Sequence, residues 1–166
     1  MSPVAEQWEE VLSTRFALGE GRSAVRAAAV FSAEAGFFAA AGREGEDGHR
    51  FFRPGPSAGS GPSPDAAYLA GLEALWTQGE GASPPVLRLS DTAWHRESLE
   101  RITDAVTGTE LDLVLLRDGG GRTMWAVRTR RGICVFALVD GAAPDHSDEA
   151  RSLALDFDSF LVGQGY

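Results

Sequence analysis

Apolar residues recur at helical spacing near both ends of the chain. Residues 2–18 carry one such amphipathic pattern, and Ser2 and Pro3 suit the cap and the first position of a helix. The same spacing returns after Ser147, where the inward positions are Ala150, Leu153, Ala154, Phe157 and Leu161. We therefore predict a helix over 2–18 and a second helix that begins at Ser147 and ends near Gly163.

Between these helices the apolar residues form short runs that are typical of strands. The runs at 24–31 and 36–42 flank a turn-like SAEAG segment, which predicts a hairpin. Later runs of the same kind lie at 86–90, 110–118, 122–130 and 132–140. Because the last three are joined by only a few residues each, we expect them to pair in antiparallel fashion.

The middle of the chain is less regular. A further helix is predicted from Ser63 and Pro64, with an apolar face formed by Tyr68, Leu69, Leu72, Leu75 and Trp76. Residues 92–106 allow two interpretations, since residues 92–97 fit a continuing sheet while the rest fits a helix. The helical interpretation rests on the spacing of Leu99, Ile102 and Val106.

Together these elements predict one domain over residues 1–166 of the α+β class. We expect a central antiparallel β-sheet with the N- and C-terminal helices packed on one face and the further helix on the other. Residues 43–64 are acidic at first and then rich in Gly, Pro and Ser. Such a stretch predicts an exposed loop.

Composition excludes some classes of partner. The 166 residues include 15 basic side chains, all arginine, against 24 carboxylates, so the net charge is −9. A field of that sign repels phosphate, which argues against nucleic acid and strong attachment to anionic membranes. The first residues do not resemble a signal peptide and the one cysteine cannot form an internal disulfide, so we expect a cytoplasmic protein.

The charge is unevenly distributed. Residues 117–131, which we call the basic segment, contain five arginines and one aspartate, whereas residues 140–166 contain six carboxylates and one arginine. The segment is either a solvated hairpin beside an acidic helix or a face that docks a protein partner. In the second case the planar guanidinium groups would pair with carboxylates of the partner.

Candidate chemistry for an enzyme is sparse. His49, His95 and His146 lie in different segments without a second ligand at metal-binding spacing. Cys134 lies in an apolar strand, where a buried thiol is expected. No nucleophile elbow or phosphate-binding loop is present. We therefore predict a non-enzymatic protein without a cofactor or a metal.

Four aromatic residues could converge if the terminal helices lie side by side: Trp8, Phe38, Phe160 and Tyr166. An exposed aromatic cleft of this kind binds polyproline segments. The alternative interpretation is that Trp8 and Phe38 are ordinary core residues.

The order of elements and several motifs resemble profilin. The chain ends in a strand GICVFALVD, a short polar link and a helix closing with SLALDFDSFLVGQGY. It begins with a tryptophan on the first helix and an Ala-rich hairpin SAEAGFFAAAG, and the acidic stretch REGEDGHRFF is similar to that of apicomplexan and protist profilins. The resemblance covers most of the chain.

This resemblance implies binding of monomeric actin and regulation of its polymerisation. The implied actin-binding residues are Arg122, Thr123, Arg128, His146, Arg151, Ser152 and Leu155. Because actin is acidic, the basic segment is compatible with this role. The resemblance further implies a monomer in the cytoplasm, associated with the cytoskeleton, with phosphoinositides as additional ligands.

The resemblance also implies that Trp8, Phe38, Phe160 and Tyr166 bind proline-rich segments of formin-like filament nucleators. Profilins often carry a tyrosine where this chain has Val11, and the missing hydroxyl implies weak polyproline binding. The main alternative is a roadblock- or longin-like interaction module that does not bind actin. A third possibility is a sensor with a small-ligand pocket.

Overall fold

A computed structural model describes residues 3–16, 18, 24–32, 36–43, 51–52, 72–76, 86–89, 92–104, 108–129, 132–139 and 144–164. The helices within these ranges are α1 (Pro3–Arg15) and α2 (Pro144–Gly163). The strands are β1 (Val25–Ser32), β2 (Gly36–Gly42), β3 (Val86–Leu89), β4 (Thr92–Thr103), β5 (Glu110–Arg117), β6 (Thr123–Arg128) and β7 (Cys134–Val139). A short helical turn also lies at residues 72–76.

All seven strands form one antiparallel sheet in the order β2-β1-β7-β6-β5-β4-β3. The predicted hairpin of β1 and β2 is present, and β3 to β7 follow one another across the sheet. Strand β1 pairs with β7 on its other side, so the first and last strands of the chain meet near the middle. This long-range pairing joins the β1–β2 hairpin to the other five strands in one sheet.

Residues 92–103 are a strand, which resolves the two interpretations of the 92–106 segment. Strand β4 pairs with β3 on one side and with β5 on the other. Leu99 packs on one face of the sheet and Ile102 on the opposite face. Leu99 and Ile102 are three residues apart because this sheet is covered on both faces. A strand in such a sheet carries apolar residues on each side.

The core has two layers, one on each face of the sheet. Alternate residues of β6 divide between them, since Trp125 and Val127 lie in the first layer and Met124 and Ala126 in the second. The first layer lies under α1 and α2, through Leu12, Phe16, Ala150, Ala154, Phe157 and Leu161. The second layer includes Leu72, Leu75 and Trp76 of the helical turn.

The terminal helices thus share one face of the sheet, and the turn at 72–76 covers the other. Arg96 of β4 donates a hydrogen bond to the Leu75 carbonyl oxygen at 3.0 Å, which fixes that turn to the sheet. The predicted α+β class, antiparallel sheet and placement of the terminal helices are confirmed. Residues 63–71 of the predicted further helix lie outside the described residues.

Both terminal helices differ from their predicted bounds. Helix α1 ends at Arg15 rather than at residue 18, and the chain then turns so that Phe16 and Leu18 are buried. Helix α2 begins at Pro144, three residues before the predicted start at Ser147. Proline suits the first turn of a helix, where its missing N–H group would have no partner in the helix.

The expectation of an exposed loop over residues 43–64 does not hold at Phe52. This side chain is 1% exposed in the second core layer. Its ring centroid lies 6.0 Å from that of Phe37 and 6.3 Å from that of Phe136. Apart from Arg43, Phe51 and Phe52, the segment lies outside the described residues.

A search of the helices in the described ranges found none with the length and apolar character needed to span a membrane.

Candidate functional site

Arg122 closes the hairpin between β5 and β6. Asp118 Oδ1 accepts hydrogen bonds from the backbone N–H groups of Gly120 (3.0 Å) and Arg122 (2.7 Å), and Asp118 Oδ2 lies 2.6 Å from Arg122 Nε. Burial would raise the pKa of Asp118, but the hydrogen bonds and charge of Arg122 outweigh it and lower this pKa. The guanidinium of Arg122 also lies 5.5 Å from the Trp94 ring centroid. Its side chain is therefore held at the hairpin end.

Arg128 lies at the opposite end of β6 and joins two carboxylates. Its Nη1 lies 2.9 Å from Glu73 Oε1, and its Nη2 lies 2.9 Å from Asp112 Oδ2. Its guanidinium carbon is 5.3 Å from the Trp76 ring centroid. Burial works to lower the pKa of Arg128, but the hydrogen bonds to Glu73 and Asp112 outweigh burial and raise it. Arg128 thus ties the helical turn at 72–76 to β5.

The described arginines of the basic segment are all paired with carboxylates of the chain itself. Arg117 completes the set, with its Nη2 at 3.1 Å from Glu97 Oε2 in an exposed pair. Arg130 and Arg131 lie outside the described residues. The chain's own carboxylates therefore balance much of the positive charge of the basic segment. A partner would meet a surface that carries charges of both signs.

The first turns of α2 are fixed to β6 by Trp125. Its Nε1 donates hydrogen bonds to the Ser147 carbonyl oxygen at 2.8 Å and to Ser147 Oγ at 3.2 Å. Arg151 lies over the same ring, with its guanidinium carbon 5.9 Å from the centroid, and its Nη2 is 3.6 Å from Glu100 Oε2. His146 is half-buried beside this contact. These interactions align α2 with β4 and β6.

The residues expected to bind actin divide between the two faces of the sheet. Side chains alternate along β6, so Thr123 shares the face of α2 while Arg122 and Arg128 belong to the other. His146, Arg151, Ser152 and Leu155 all lie on α2. Trp125, two residues after Thr123 on the same face of β6, contacts Ser147 in the first turns of α2. Arg128 lies about 20 Å from Arg122 along the strand.

Two of the four residues expected to bind polyproline are described and lie on neighbouring helices. Trp8 on α1 and Phe160 on α2 are both half-buried against the first core layer. The side chain of Phe38 and all of Tyr166 lie outside the described set. The structure therefore places the two described residues of the expected site on helices that cover the same face of the sheet.

Phe160 belongs to an aromatic row between the helices. Its ring centroid lies 5.8 Å from that of Phe157, which in turn lies 5.3 Å from that of Phe16. The guanidinium carbon of Arg15 lies 4.1 Å from the centroid of Phe160 and covers one face of this ring. Sequence reasoning missed Arg15, although its position seven residues after Trp8 places both on one stripe of α1, two turns apart.

Cys134 and the two described histidines lie on three different elements, β7, β4 and α2. Cys134 is buried, and burial raises the pKa of its thiol to about 12, so it stays protonated near neutral pH. His95 is exposed on β4, and His49 lies outside the described residues. In the described part of the chain, no three His, Cys, Asp or Glu residues come together to hold a metal ion.

A polar cavity of about 410 Å³ opens where β4 ends and β5 begins. Its lining contains Arg101, Glu110, Asp112, Arg128, Thr129 and Gly132. Arg101 Nε lies 3.3 Å from Asp112 Oδ1 in this lining. Sequence reasoning did not find this cavity, because its residues come from three strands and a turn.

No protein-family model matches the chain, and no curated protein matches it.

Proposed function

We propose that this chain is a profilin-type protein that binds monomeric actin and regulates its polymerisation. The observation that carries the proposal is the contact between Phe16 and Phe157, which joins the end of α1 to α2 on one face of an antiparallel sheet. This is the arrangement that the resemblance of the two chain ends to profilin implies. The assignment to the profilin fold is part of the same proposal.

The actin-binding surface that we propose is centred on the start of α2 and the β5–β6 hairpin end. It contains Arg122, Thr123, His146, Arg151, Ser152 and Leu155. Trp125 supports it, because the hydrogen bond to Ser147 fixes the first turns of α2 against β6. Arg128 was expected in the same set, but its two internal ion pairs favour a role in holding the turn at 72–76.

Inhibition of spontaneous polymerisation tests the actin proposal. Purified chain added to pyrene-labelled actin monomers is expected to slow polymerisation in proportion to its concentration. Arg151→Glu should weaken the effect, because it reverses a charge at the centre of the surface and repels Glu100. Arg88→Glu is the matched control and should behave as the wild type, since Arg88 is exposed on β3, the edge strand of the sheet, whereas α2 packs on β6 and β7.

If folded chain in excess over the actin monomers leaves polymerisation unchanged, the actin proposal is wrong. The roadblock- or longin-like interaction module and the sensor with a small-ligand pocket would then remain. A cytoskeletal location and phosphoinositide binding belong to the profilin proposal and would be withdrawn with it.

We further propose a weak polyproline site on the outer side of the helix pair, formed by Trp8 and Phe160 with Phe38 and Tyr166. Trp8 is half-buried, whereas Trp76, Trp94 and Trp125 are 4–6% exposed. A polyproline peptide should therefore change the tryptophan fluorescence through Trp8. Trp8→Phe should remove the change, and Trp94→Phe, which alters a buried ring, should retain it. An unchanged spectrum in the wild type at saturating peptide would reject the site.

A further inference from the structure

A row of charged side chains crosses three strands at the polar cavity. Arg101 of β4 is paired in register with Asp112 of β5, and Asp112 is paired with Arg128 of β6. Residues that are directly opposite one another in a sheet lie on the same face, so these three side chains are neighbours. The exposed fraction of the side chain is 70% for Arg101, 15% for Asp112 and 23% for Arg128. The row therefore has a largely buried inner part and an outer end in solvent.

The charges of the inner part neutralise one another. Asp112 Oδ2 lies 2.9 Å from Arg128 Nη2, and Glu73 Oε1 lies 2.9 Å from Arg128 Nη1. Asp112 Oδ1 accepts a hydrogen bond of 3.3 Å from Arg101 Nε. Both oxygens of Asp112 and both terminal nitrogens of Arg128 already have partners, so a ligand would bind at the outer end of the row.

Two charged groups at the outer end remain available to a ligand. Within the described residues, Arg101 is engaged through Nε, and its Nη1 and Nη2 groups have no acceptor. The exposed carboxylate of Glu110 has no donor or cation among the same residues. Glu110 is two residues before Asp112 on the same face of β5, so it is a diagonal neighbour of Arg101, with the two Cα atoms about 7–8 Å apart. Both side chains line the cavity.

The cavity opens on the face of the sheet opposite the terminal helices. Leu99, two residues before Arg101, and Ala126, two residues before Arg128, both lie in the second core layer, whereas α1 and α2 cover the first. The proposed actin-binding surface is at the other end of β6, and the proposed polyproline site is on the helices. A ligand in this cavity would therefore occupy a separate site, which does not rest on the proposed function.

We propose that this cavity binds the zwitterion of a free α-amino acid, with its carboxylate on the Nη groups of Arg101 and its ammonium group on the carboxylate of Glu110. An anion without a positive group would be repelled by Glu110, and a cation without a negative group would be repelled by Arg101. A zwitterion meets a complementary charge at both positions, and a guanidinium group can bind a carboxylate through two parallel hydrogen bonds. The volume of about 410 Å³ is within the range of about 300–1,000 Å³ that is usual for small-molecule sites.

The inner wall of the cavity favours an amino acid with a polar side chain. Thr129 and Arg128 belong to this wall. Thr129 Oγ1 accepts a hydrogen bond of 3.2 Å from the N–H group of Ile133, and its hydroxyl hydrogen can still be donated to a ligand. A side chain that ends in an oxygen acceptor, such as that of glutamine, suits this donor better than an apolar side chain does.

Titration with L-glutamine, followed by the backbone amide signals in nuclear magnetic resonance spectra, tests the proposal. The signals of Arg101, Glu110 and Thr129 should shift saturably, with a Kd of about 1 mM or lower. N-acetyl-L-glutamine lacks the ammonium group and L-glutaminamide lacks the carboxylate, so each should bind roughly 10- to 100-fold more weakly. L-leucine keeps both charges but has an apolar side chain, and it should also bind more weakly than glutamine.

Two variants assign the charges of the ligand to their partners. Arg101→Gln should weaken glutamine binding and remove the preference for glutamine over glutaminamide, because the ligand carboxylate has lost its cation. Glu110→Gln should weaken binding and remove the preference for glutamine over N-acetylglutamine. Arg88→Gln on β3 and Glu10→Gln on α1 are the matched controls, since they remove the same charges from exposed positions outside the cavity lining. Both controls should bind as the wild type does.

Several outcomes would overturn the proposal. One is the absence of a saturable shift in the wild type up to about 20 mM glutamine. Another is unchanged affinity in Arg101→Gln and Glu110→Gln, with urea midpoints showing that both variants are folded. N-acetylglutamine that binds as tightly as glutamine would indicate an anion site, and glutaminamide that does so would indicate a cation site. Leucine that binds as tightly as glutamine would reject the contribution of the Thr129 hydroxyl.

Discussion

The ring centroids of Phe16 and Phe157 lie 5.3 Å apart, with the ring planes tilted by 40°. Phe16 directly follows α1 and Phe157 is on the inward face of α2, and both are almost fully buried. The contact joins two segments from opposite ends of the chain, so it couples the stability of the helix pair to the sheet beneath it. The candidate polyproline surface depends on the same contact.

Loss of this contact should strongly destabilise the chain. Phe157→Ala removes a large buried side chain and should lower the free energy of unfolding by about 3–5 kcal/mol, measured by urea denaturation. A double-mutant cycle with Phe16→Ala should give a coupling of about 0.5–1.5 kcal/mol between the rings. Leu155→Ala, at a half-buried position of α2, is the control and should cost less than Phe157→Ala. Additive single effects would show that the rings do not interact.

Arg15 should contribute modestly to stability and restrict access to Phe160. Its guanidinium lies 4.1 Å from the ring centroid, so Arg15→Gln should cost about 0.5–1 kcal/mol of unfolding free energy. The same change uncovers one face of the Phe160 ring and should tighten polyproline binding in the fluorescence titration. Glu10→Gln, at an exposed position of α1, controls for a change of charge on that helix. Weaker binding in Arg15→Gln would mean that the guanidinium contacts the peptide.

The ion pairs of the basic segment should differ in their contribution to stability. Arg128→Ala leaves Asp112, whose side chain is 15% exposed, with fewer donors and should cost about 1–3 kcal/mol of unfolding free energy. Arg117→Ala breaks an exposed pair with Glu97 and should cost less than about 1 kcal/mol. Thermal unfolding of both variants in the same buffer compares them. Equal losses would contradict the structural role of Arg128.

Asp118 should make the chain sensitive to acid. Its pKa is lowered in the folded state, so the stability it contributes is present above its ordinary value of 3.8 and is lost as the pH falls through the lower folded value. Asp118→Asn should therefore lower the urea midpoint near pH 6. As the pH falls further, the midpoint of the variant should decline less than that of the wild type. Asp156→Asn should leave that decline unchanged.

The local pattern of the sequence was sufficient to predict most elements. Short apolar runs joined by short turns predicted the β1–β2 hairpin and the succession of β5, β6 and β7, because neighbouring strands are encoded within a few residues. The helical spacing of apolar residues predicted α1 and α2 to within three residues at their ends. The sequence also carried the aromatic residues Trp8 and Phe160 that define the candidate polyproline surface.

Tertiary structure decided what depends on distant residues. The pairing of β1 with β7 joins segments about a hundred residues apart, and no local pattern specifies it. The sequence pattern left residues 92–106 open, because β4 places Leu99 on one core layer and Ile102 on the other, a spacing that also fits a helix. Glu73, an ion-pair partner of Arg128, is 55 residues away in the sequence. The complete burial of Asp158 depends on how α2 packs on the sheet. Residue type and spacing determined the helices and strands. The ion pairs and the shifted pKa values followed only from the packing of these elements against one another, because burial and pairing set the energy of a charge.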